Sequence, residues 1–228
     1  DFQPMGELLD LNAKAAKASL PECKYEIYGD KEIRKFLSST YSIETLDIYK
    51  RLAPYAYKSD FARYCILYET GGWYIDIGLR LSGVRIKVPD IISLIAFRDQ
   101  PYRHTLSSFA CANGAIYATP KHPAIAKAIK LTIENVNNEY YGLTPLCPTG
   151  PTLWGRAIAI TGIDDSYLFG DFVELTPTHS KTNKALVLPD GTIFGYHKGS
   201  GGGDLKALGA KGTNNYNDFW FKKEVYLN

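Results

Sequence analysis

The chain has 228 residues and a formal net charge of +2, from 26 Lys and Arg against 24 Asp and Glu. This length suits one globular domain, and residues 1–228 are predicted to form one. Basic and acidic residues are interspersed without a block of either sign, which argues against a nucleic-acid partner. No apolar run is long enough to span a bilayer, so any membrane association is expected to be peripheral.

The cysteines, Cys23, Cys65, Cys111 and Cys147, lie far apart in the sequence. None belongs to a pair with metal-ligand spacing, so a reduced, cytoplasmic setting is expected rather than a disulfide framework or a structural zinc site. The chain begins with Asp1 instead of Met, which leaves open a preceding segment.

Glycines and prolines mark the element boundaries predicted for the first half of the chain. Gly71 and Gly72 end an aromatic-rich helix and lead into a short apolar strand. The elements predicted in this half are helices at 7–18, 31–37, 42–52 and 55–70 and strands at 24–29 and 73–77.

Strands and helices alternate in the second half as well. His122 and Pro123 open a helix, and Pro151 occupies the first turn of another, where a missing N–H costs nothing. The predicted elements are strands at 91–97, 114–119, 172–177, 185–189 and 192–197 and helices at 124–136, 149–161 and 217–227, with a mobile glycine-rich loop at 198–212. This alternation indicates an α/β fold.

The stretch YKSDFARYCILYETGGWYIDIGL concentrates polar groups in apolar surroundings. Asp60 and Arg63 are three residues apart on a helix and share a face, where they form either an ordinary ion pair or a joint ligand site. In the strand that follows, alternation places Tyr74, Asp76 and Gly78 opposite the apolar side chains. Asp76 either caps the next turn or belongs to a site at the carboxyl end of the strand, where α/β sheets bind ligands.

This stretch resembles the signature of GT-A glycosyltransferases with a DxD sugar-binding motif, in which a Ser-Asp-x-x-Arg helix and a Gly-Gly turn precede an Asp-x-Asp strand. The family includes yeast-type initiating mannosyltransferases, α-1,4-galactosyltransferases and bacterial capsule and lipopolysaccharide enzymes, and clostridial glucosylating toxins are its relatives. ANGAIYATPKHP, TGPTLWGRAI and GYHKGS resemble later family segments in the same order. The resemblance covers roughly residues 24–220 and implies an α/β, Rossmann-like GT-A domain with a mixed central sheet flanked by helices.

The resemblance also implies which residues bind the donor, a nucleotide-diphospho sugar linked to UDP or GDP. Asp60 and Arg63 would hold hydroxyls of the sugar, while Tyr74 and Asp76 would contact the sugar or the ribose. The helix start at 149–150 either offers free N–H groups to an anion or an acceptor hydroxyl, or is a plain helix cap. The full predicted nucleotide-sugar set is Asp60, Arg63, Tyr74, Asp76, Asn113, Thr149, Gly150, His197 and Lys198.

Gly78 departs from the family pattern, because the second Asp of the motif binds the divalent metal in that family. Without that carboxylate, Mn²⁺ or Mg²⁺ as a cofactor is in doubt. Either Asp76 and His197 suffice as metal ligands, or the enzyme is metal-independent and a cation stabilises the leaving group. Arg80 shares the strand parity of Gly78 and is the nearest such cation, so Asp76 and Arg80 are the predicted catalytic residues. A third alternative is a relative that has lost activity, by nature or by engineering.

Together with the resemblance, these features imply a hexosyltransferase that retains the anomeric configuration. The expected acceptor is a glycan, in the synthesis of a bacterial surface polysaccharide such as capsule or lipopolysaccharide. The expected location is the cytoplasm, with the inner face of the membrane as an open alternative. Two alternatives stay open at this point: a non-catalytic module that binds sugar nucleotides or glycans, and a glycosyltransferase that modifies proteins.

Overall fold

The computed structural model describes residues 7–99, 106–175, 184–197 and 215–227, with side chains from residue 10 onwards. Within these ranges the helices are α1 (Glu7–Ser19), α2 (Asp30–Thr40), α3 (Ile43–Arg51), α4 (Tyr55–Thr70), α5 (Pro123–Asn137), α6 (Pro151–Thr161) and α7 (Tyr216–Phe221). The strands are β1 (Gly72–Ile75), β2 (Arg80–Leu81), β3 (Leu94–Arg98), β4 (Cys111–Ala118), β5 (Tyr167–Glu174), β6 (Lys184–Val187) and β7 (Ile193–Tyr196).

The predicted α/β class with a mixed central sheet flanked by helices is confirmed. The described strands form one sheet in the order β1-β4-β3-β5-β6-β7-β2. The pairing of β3 with β5 is parallel and the other described pairings are antiparallel. None of the helices within the described ranges is long and apolar enough to cross a membrane.

Side-chain alternation in the central strand β3 divides the core into two parts. Leu94 and Ala96 pack on the side covered by α4, α5 and α6. Ile95 and Phe97 point to the opposite side, where Leu20, just past the end of α1, joins the core. Because both faces of β3 are covered, its first four residues are apolar instead of alternating with polar residues, and only Arg98 at its end is exposed.

The sheet is strongly curled. Its two edge strands, β1 and β2, lie at opposite ends of the strand order, yet only residues 76–79 connect them in the chain. A connection of this length spans at most about 18 Å, so the two edges must approach each other. The ring of Trp73 on β1 accordingly stacks on the ring of Phe194 on β7, with 4.7 Å between the centroids.

Gly71 fixes the tight passage from α4 into β1. Its backbone N–H donates to the carbonyl of Leu67 at 2.8 Å, which closes the last turn of the helix. Its φ is +62°, and a Cβ at this position would lie 2.5 Å from Cδ of Pro120. Only glycine meets both conditions. The turn therefore brings the polar residues of α4 beside those that follow β1.

Several local predictions differ from the structure. Residues 24–29 have no strand assignment, because alternation suggests a strand but only pairing makes one. The strand predicted at 73–77 ends at Ile75, and the last helix ends at Phe221 instead of continuing to residue 227. The short strand β2 was not predicted. The glycine-rich loop predicted at 198–212 lies outside the described residues.

Candidate active site

Four elements converge on one polar cluster. Asp60 and Arg63 come from α4, Tyr74 and Asp76 from β1 and the position after it, and Asn113 from β4. Thr149, which precedes α6, completes the cluster through its hydrogen bond to Asp60. The structure therefore brings together six of the residues predicted from the sequence.

Asp60 is a buried carboxylate whose two oxygens are both hydrogen-bonded. Oδ2 accepts from the hydroxyl of Thr149 at 2.7 Å. Oδ1 accepts from Nδ2 of Asn113 at 2.9 Å and lies 2.9 Å from Nη2 of Arg63. Burial raises the pKa of Asp60, while Arg63, Thr149 and Asn113 act in the opposite direction. These three donors hold the carboxylate in one orientation.

Arg63 is the cation at the centre of the cluster. Its Nε donates to the carbonyl of Ser59 at 3.2 Å, and its Nη1 donates to the carbonyl of Asn113. Nη2 bridges two carboxylates, at 2.9 Å from Asp60 and 3.4 Å from Asp76. Burial by itself lowers the pKa of Arg63. The electrostatic interactions with Tyr74, Asp76 and Asp60 outweigh that effect, so the pKa of Arg63 is raised. The guanidinium therefore stays charged and fixes both carboxylates.

Asp76 is the member of the cluster that reaches solvent. Its side chain is 38% exposed, against 4% for Arg63. Its backbone N–H donates to the carbonyl of Gly114 at 2.7 Å, and its Oδ1 accepts from the hydroxyl of Tyr74 at 2.7 Å. Its Oδ2 lies against Gly114, where a Cβ would come within 3.0 Å of it. Asp76 is thus firmly held and still available to a ligand.

The cluster lies in a cleft with a volume of about 1190 Å³. Thr149 is fully buried and does not line this cleft, so it supports Asp60 from behind. Lys198 lies outside the described residues. The predicted residues that do line the cleft are Asp60, Arg63, Tyr74, Asp76, Asn113, Gly150 and His197.

The strand-parity argument for Arg80 is wrong. The chain turns directly after Asp76, whose carbonyl accepts a hydrogen bond from the N–H of Leu79 at 2.8 Å. Arg80 consequently belongs to β2, is exposed, and lies over the ring of Tyr196 at 5.4 Å. It is not among the residues that line the cleft. The structure does not bring Arg80 to the cluster. Lys184 is a basic residue that does line the cleft, and its Nζ lies 3.6 Å from Oε1 of Glu174.

Sequence reasoning missed two further residues that line the cleft, Asp99 and Tyr216. Asp99 directly follows β3, and its position after a strand end was a usable signal. Tyr216 begins α7, and nothing in its local sequence pointed to the site. Burial raises the pKa of Tyr216, and the negative charges of Asp60, Asp99 and Asp76 raise it further. The Tyr216 hydroxyl therefore stays protonated and can donate in a cleft rich in carboxylates.

The described part of the cleft does not by itself provide a complete set of metal ligands. Among the described residues, no group of three or more His, Cys, Asp or Glu side chains could hold a metal ion. Mg²⁺ is commonly bound through one or two carboxylates together with phosphates of the substrate. The chemistry of Asp76 fits that limited contribution to the binding of an ion.

Comparison with known proteins identifies relatives of this region. A family model described as "Glycosyltransferase sugar-binding region containing DXD motif" matches residues 5–81. A protein of Acanthamoeba polyphaga mimivirus named "Uncharacterized glycosyltransferase L373" is 33% identical over 101 residues, which is 44% of this chain and 38% of the relative. The chain thus matches well under two thirds of that relative's length. Among solved structures, "PaToxG Glycosyltransferase" is similar with a TM-score of 0.49 and 19% identity, covering 70% of this chain and 65% of that chain.

The family match coincides with the polar cluster. Residues 5–81 include Asp60, Arg63, Tyr74 and Asp76, the residues on which the resemblance was recognised. The resemblance predicted from the sequence is therefore confirmed for the part of the chain that carries α4 and β1.

Proposed function

We propose that this chain transfers a hexose from a nucleotide-diphospho sugar to a hydroxyl group of an acceptor. The match of residues 5–81 to the model of glycosyltransferase sugar-binding regions with a DXD motif supports this proposal. The observation that carries this proposal is the bridge that Arg63 makes between Asp60 and Asp76 on the cleft wall. A paired, oriented carboxylate that opens on a large cleft is suited to bind sugar hydroxyls.

The residues of the cluster divide the work according to their exposure. Asp76, half-exposed and held by Tyr74, is the main contact for hydroxyls of the donor sugar or ribose. Asp60 and Arg63 line the cleft, but both are almost fully buried. Their contact with sugar hydroxyls is therefore small, and their main contribution is to keep Asp76 in position. Asn113 takes part in the same way, because its amide already donates to Asp60.

The leaving group is a nucleoside diphosphate, whose negative charge grows as the bond to the sugar breaks. Lys184 and His197 line the cleft and would face that charge. Mn²⁺ or Mg²⁺ bound to the diphosphate would supply further charge neutralisation, with Asp76 as its protein ligand and His197 as a second candidate. The donor is UDP- or GDP-linked, and retention of configuration is carried over from the family resemblance.

The proposed acceptor is a glycan, with a bacterial surface polysaccharide as the first candidate and a protein hydroxyl as the second. The scattered cysteines, which suit a reducing compartment, support action in the cytoplasm.

A second candidate function is a module that binds sugar nucleotides without catalysis. Gly78 favours it, because it removes the motif's second carboxylate while Asp60, Arg63 and Asp76 keep their contacts. The two candidates predict the same donor binding and differ in turnover.

Nucleotide release from a panel of UDP- and GDP-hexoses, with EDTA or with Mn²⁺, separates the candidates. The transferase predicts release with at least one donor, and release should fall at least tenfold in Asp76→Asn, on the scale of one lost charged hydrogen bond. Arg80→Ala is the matched control, because Arg80 is exposed outside the cleft. Donor binding without release under any condition would establish the module instead.

A further inference from the structure

The cleft has an apolar rim beside its polar floor. Leu143, from the segment before α6, is 74% exposed, and Phe221, at the end of α7, is 71% exposed. Tyr55, the first residue of α4, is 61% exposed. All three line the cleft that holds Asp60 and Asp76. We call Tyr55, Leu143 and Phe221 the apolar rim.

The rim is held in place by the C-terminal segment. Nε1 of Trp220 donates to the carbonyl of Tyr141 at 2.8 Å, which ties α7 to the segment that carries Leu143. The N–H of Ala53 donates to the carbonyl of Val225 at 2.8 Å, which ties the same segment to the start of α4. Three parts of the chain that are distant in sequence are thereby tied to one another, and each contributes a residue to the lining of the same cleft. A preformed surface of this kind loses little entropy when a ligand binds.

Large apolar side chains at this exposure usually mark a binding surface when they lie together at the mouth of a cleft. Polar groups accompany the rim, since Asn217 on α7 and Asp99 after β3 line the same cleft. A pyranose ring offers an apolar C–H face and a border of hydroxyls, so it can use both kinds of group at once. Aromatic faces suit the C–H face, and amide and carboxylate groups suit the hydroxyls.

We propose that the apolar rim is the acceptor subsite and that it binds a sugar ring of the acceptor. This inference rests on the proposed transferase function, because it assigns the second substrate of the same cleft. The ring stacks on Phe221 and packs against Leu143 and Tyr55, and its reacting hydroxyl points to the floor where Asp76 holds the donor. The acceptor class is therefore a saccharide, in preference to a hydroxyl on an extended peptide.

The test uses the methyl glycosides of glucose, galactose and mannose as acceptor probes. With the donor found in the nucleotide-sugar panel, at least one probe should stimulate nucleotide release above release with water alone. Phe221→Ala and Leu143→Ala should raise the apparent KM of that probe about tenfold, while Phe221→Tyr, which keeps the ring, should stay near wild type. Ile91→Ala is the matched control, because Ile91 is 72% exposed and lies outside the cleft.

Direct binding of the same methyl glycosides, followed by saturation-transfer NMR, separates failure of the rim from failure of the transferase. Saturation transfer that is lost in Phe221→Ala and kept in Ile91→Ala supports the subsite even if no nucleotide sugar is turned over, in which case only the transferase proposal fails. Equal KM values and equal saturation transfer in both variants would overturn the subsite. Stimulation by serine- or threonine-containing peptides, with none by any glycoside, would overturn the saccharide assignment.

Discussion

Gly114→Ala tests whether the placement of Asp76, beyond its mere presence, matters for donor binding. An ideal Cβ at residue 114 would lie 3.0 Å from Oδ2 of Asp76 and 3.5 Å from its Cγ. The contact with Oδ2 is shorter than an ordinary van der Waals contact, so the carboxylate must withdraw by a few tenths of an ångström. The backbone hydrogen bond from Asp76 to Gly114 keeps the main chain from following.

The cost of this displacement follows from what holds the carboxylate. Oδ1 of Asp76 accepts from Tyr74 at 2.7 Å and faces Arg63 at 3.4 Å. Hydrogen bonds to a charged group are each worth about 1.5–3 kcal/mol, and the shift weakens them without breaking them. We expect a loss of about 1 kcal/mol in stability from crowding. Donor-sugar affinity should fall roughly tenfold, because weakening one charged hydrogen bond to the donor by about 1.4 kcal/mol corresponds to that factor.

The assay is the dissociation constant of the donor sugar nucleotide and of the free nucleoside diphosphate, together with thermal unfolding. Gly195→Ala is the matched control, since its Cβ would also meet an oxygen at 3.0 Å, the carbonyl of Arg80, away from the cluster. In an Asp76→Ala background, Gly114→Ala should have no further effect on donor affinity, because the crowded oxygen is gone. Wild-type donor affinity in the single variant would refute the assignment of Asp76 as the sugar contact.

Three further predictions concern stability, pH and metal. Thr149→Val removes the donor to Oδ2 of Asp60 and should cost about 1.5–3 kcal/mol in urea unfolding; Thr132→Val, at an equally buried hydroxyl bonded to a helix carbonyl, should cost less. Burial lowers the pKa of His122, so the unfolded chain binds its proton first and stability should decline as pH falls below about 6.5. His122→Asn keeps a helix-capping side chain but removes the titrating group, so the melting temperature of the variant should fall less with decreasing pH than that of wild type. An equal fall in both proteins would contradict this role of His122. Gly78→Asp adds a carboxylate on the cleft, so Mn²⁺ should raise its melting temperature more than that of wild type; equal shifts would count against a metal role for this position.

The part of the site that depends on local geometry could be predicted from the sequence. Asp60 and Arg63 share a helix face because of their spacing, and Tyr74 and Asp76 share a strand face because side chains alternate. The structure places these four residues in one cluster. Which of the four side chains is buried and which reaches solvent could not be predicted, because this depends on how closely α4 packs against the sheet.

The parts that depend on closure of the sheet could not be predicted. The parity argument for Arg80 assumed a continuous strand, whereas the chain leaves one sheet edge after Asp76 and joins the other edge at β2. Tyr216 reaches the cleft only because the C-terminal segment pairs with the end of α3, where the N–H of Leu227 donates to the carbonyl of Arg51. Contacts of such sequence separation leave no periodic pattern in a single sequence.

Asp76 lies where the two edges of the curled sheet come together. Its N–H is bound by Gly114 of β4, and its carbonyl accepts from Leu79 in the turn that carries the chain to β2. Asp76 is therefore the last residue of the β1 edge whose backbone is hydrogen-bonded to β4. Its side chain lines the cleft. Gly78 lies within this turn and lines the same cleft. Gly114, Leu79, Tyr74 and Arg63 supply the contacts that hold Asp76, so the proposed contact of Asp76 with a sugar does not require a carboxylate at position 78.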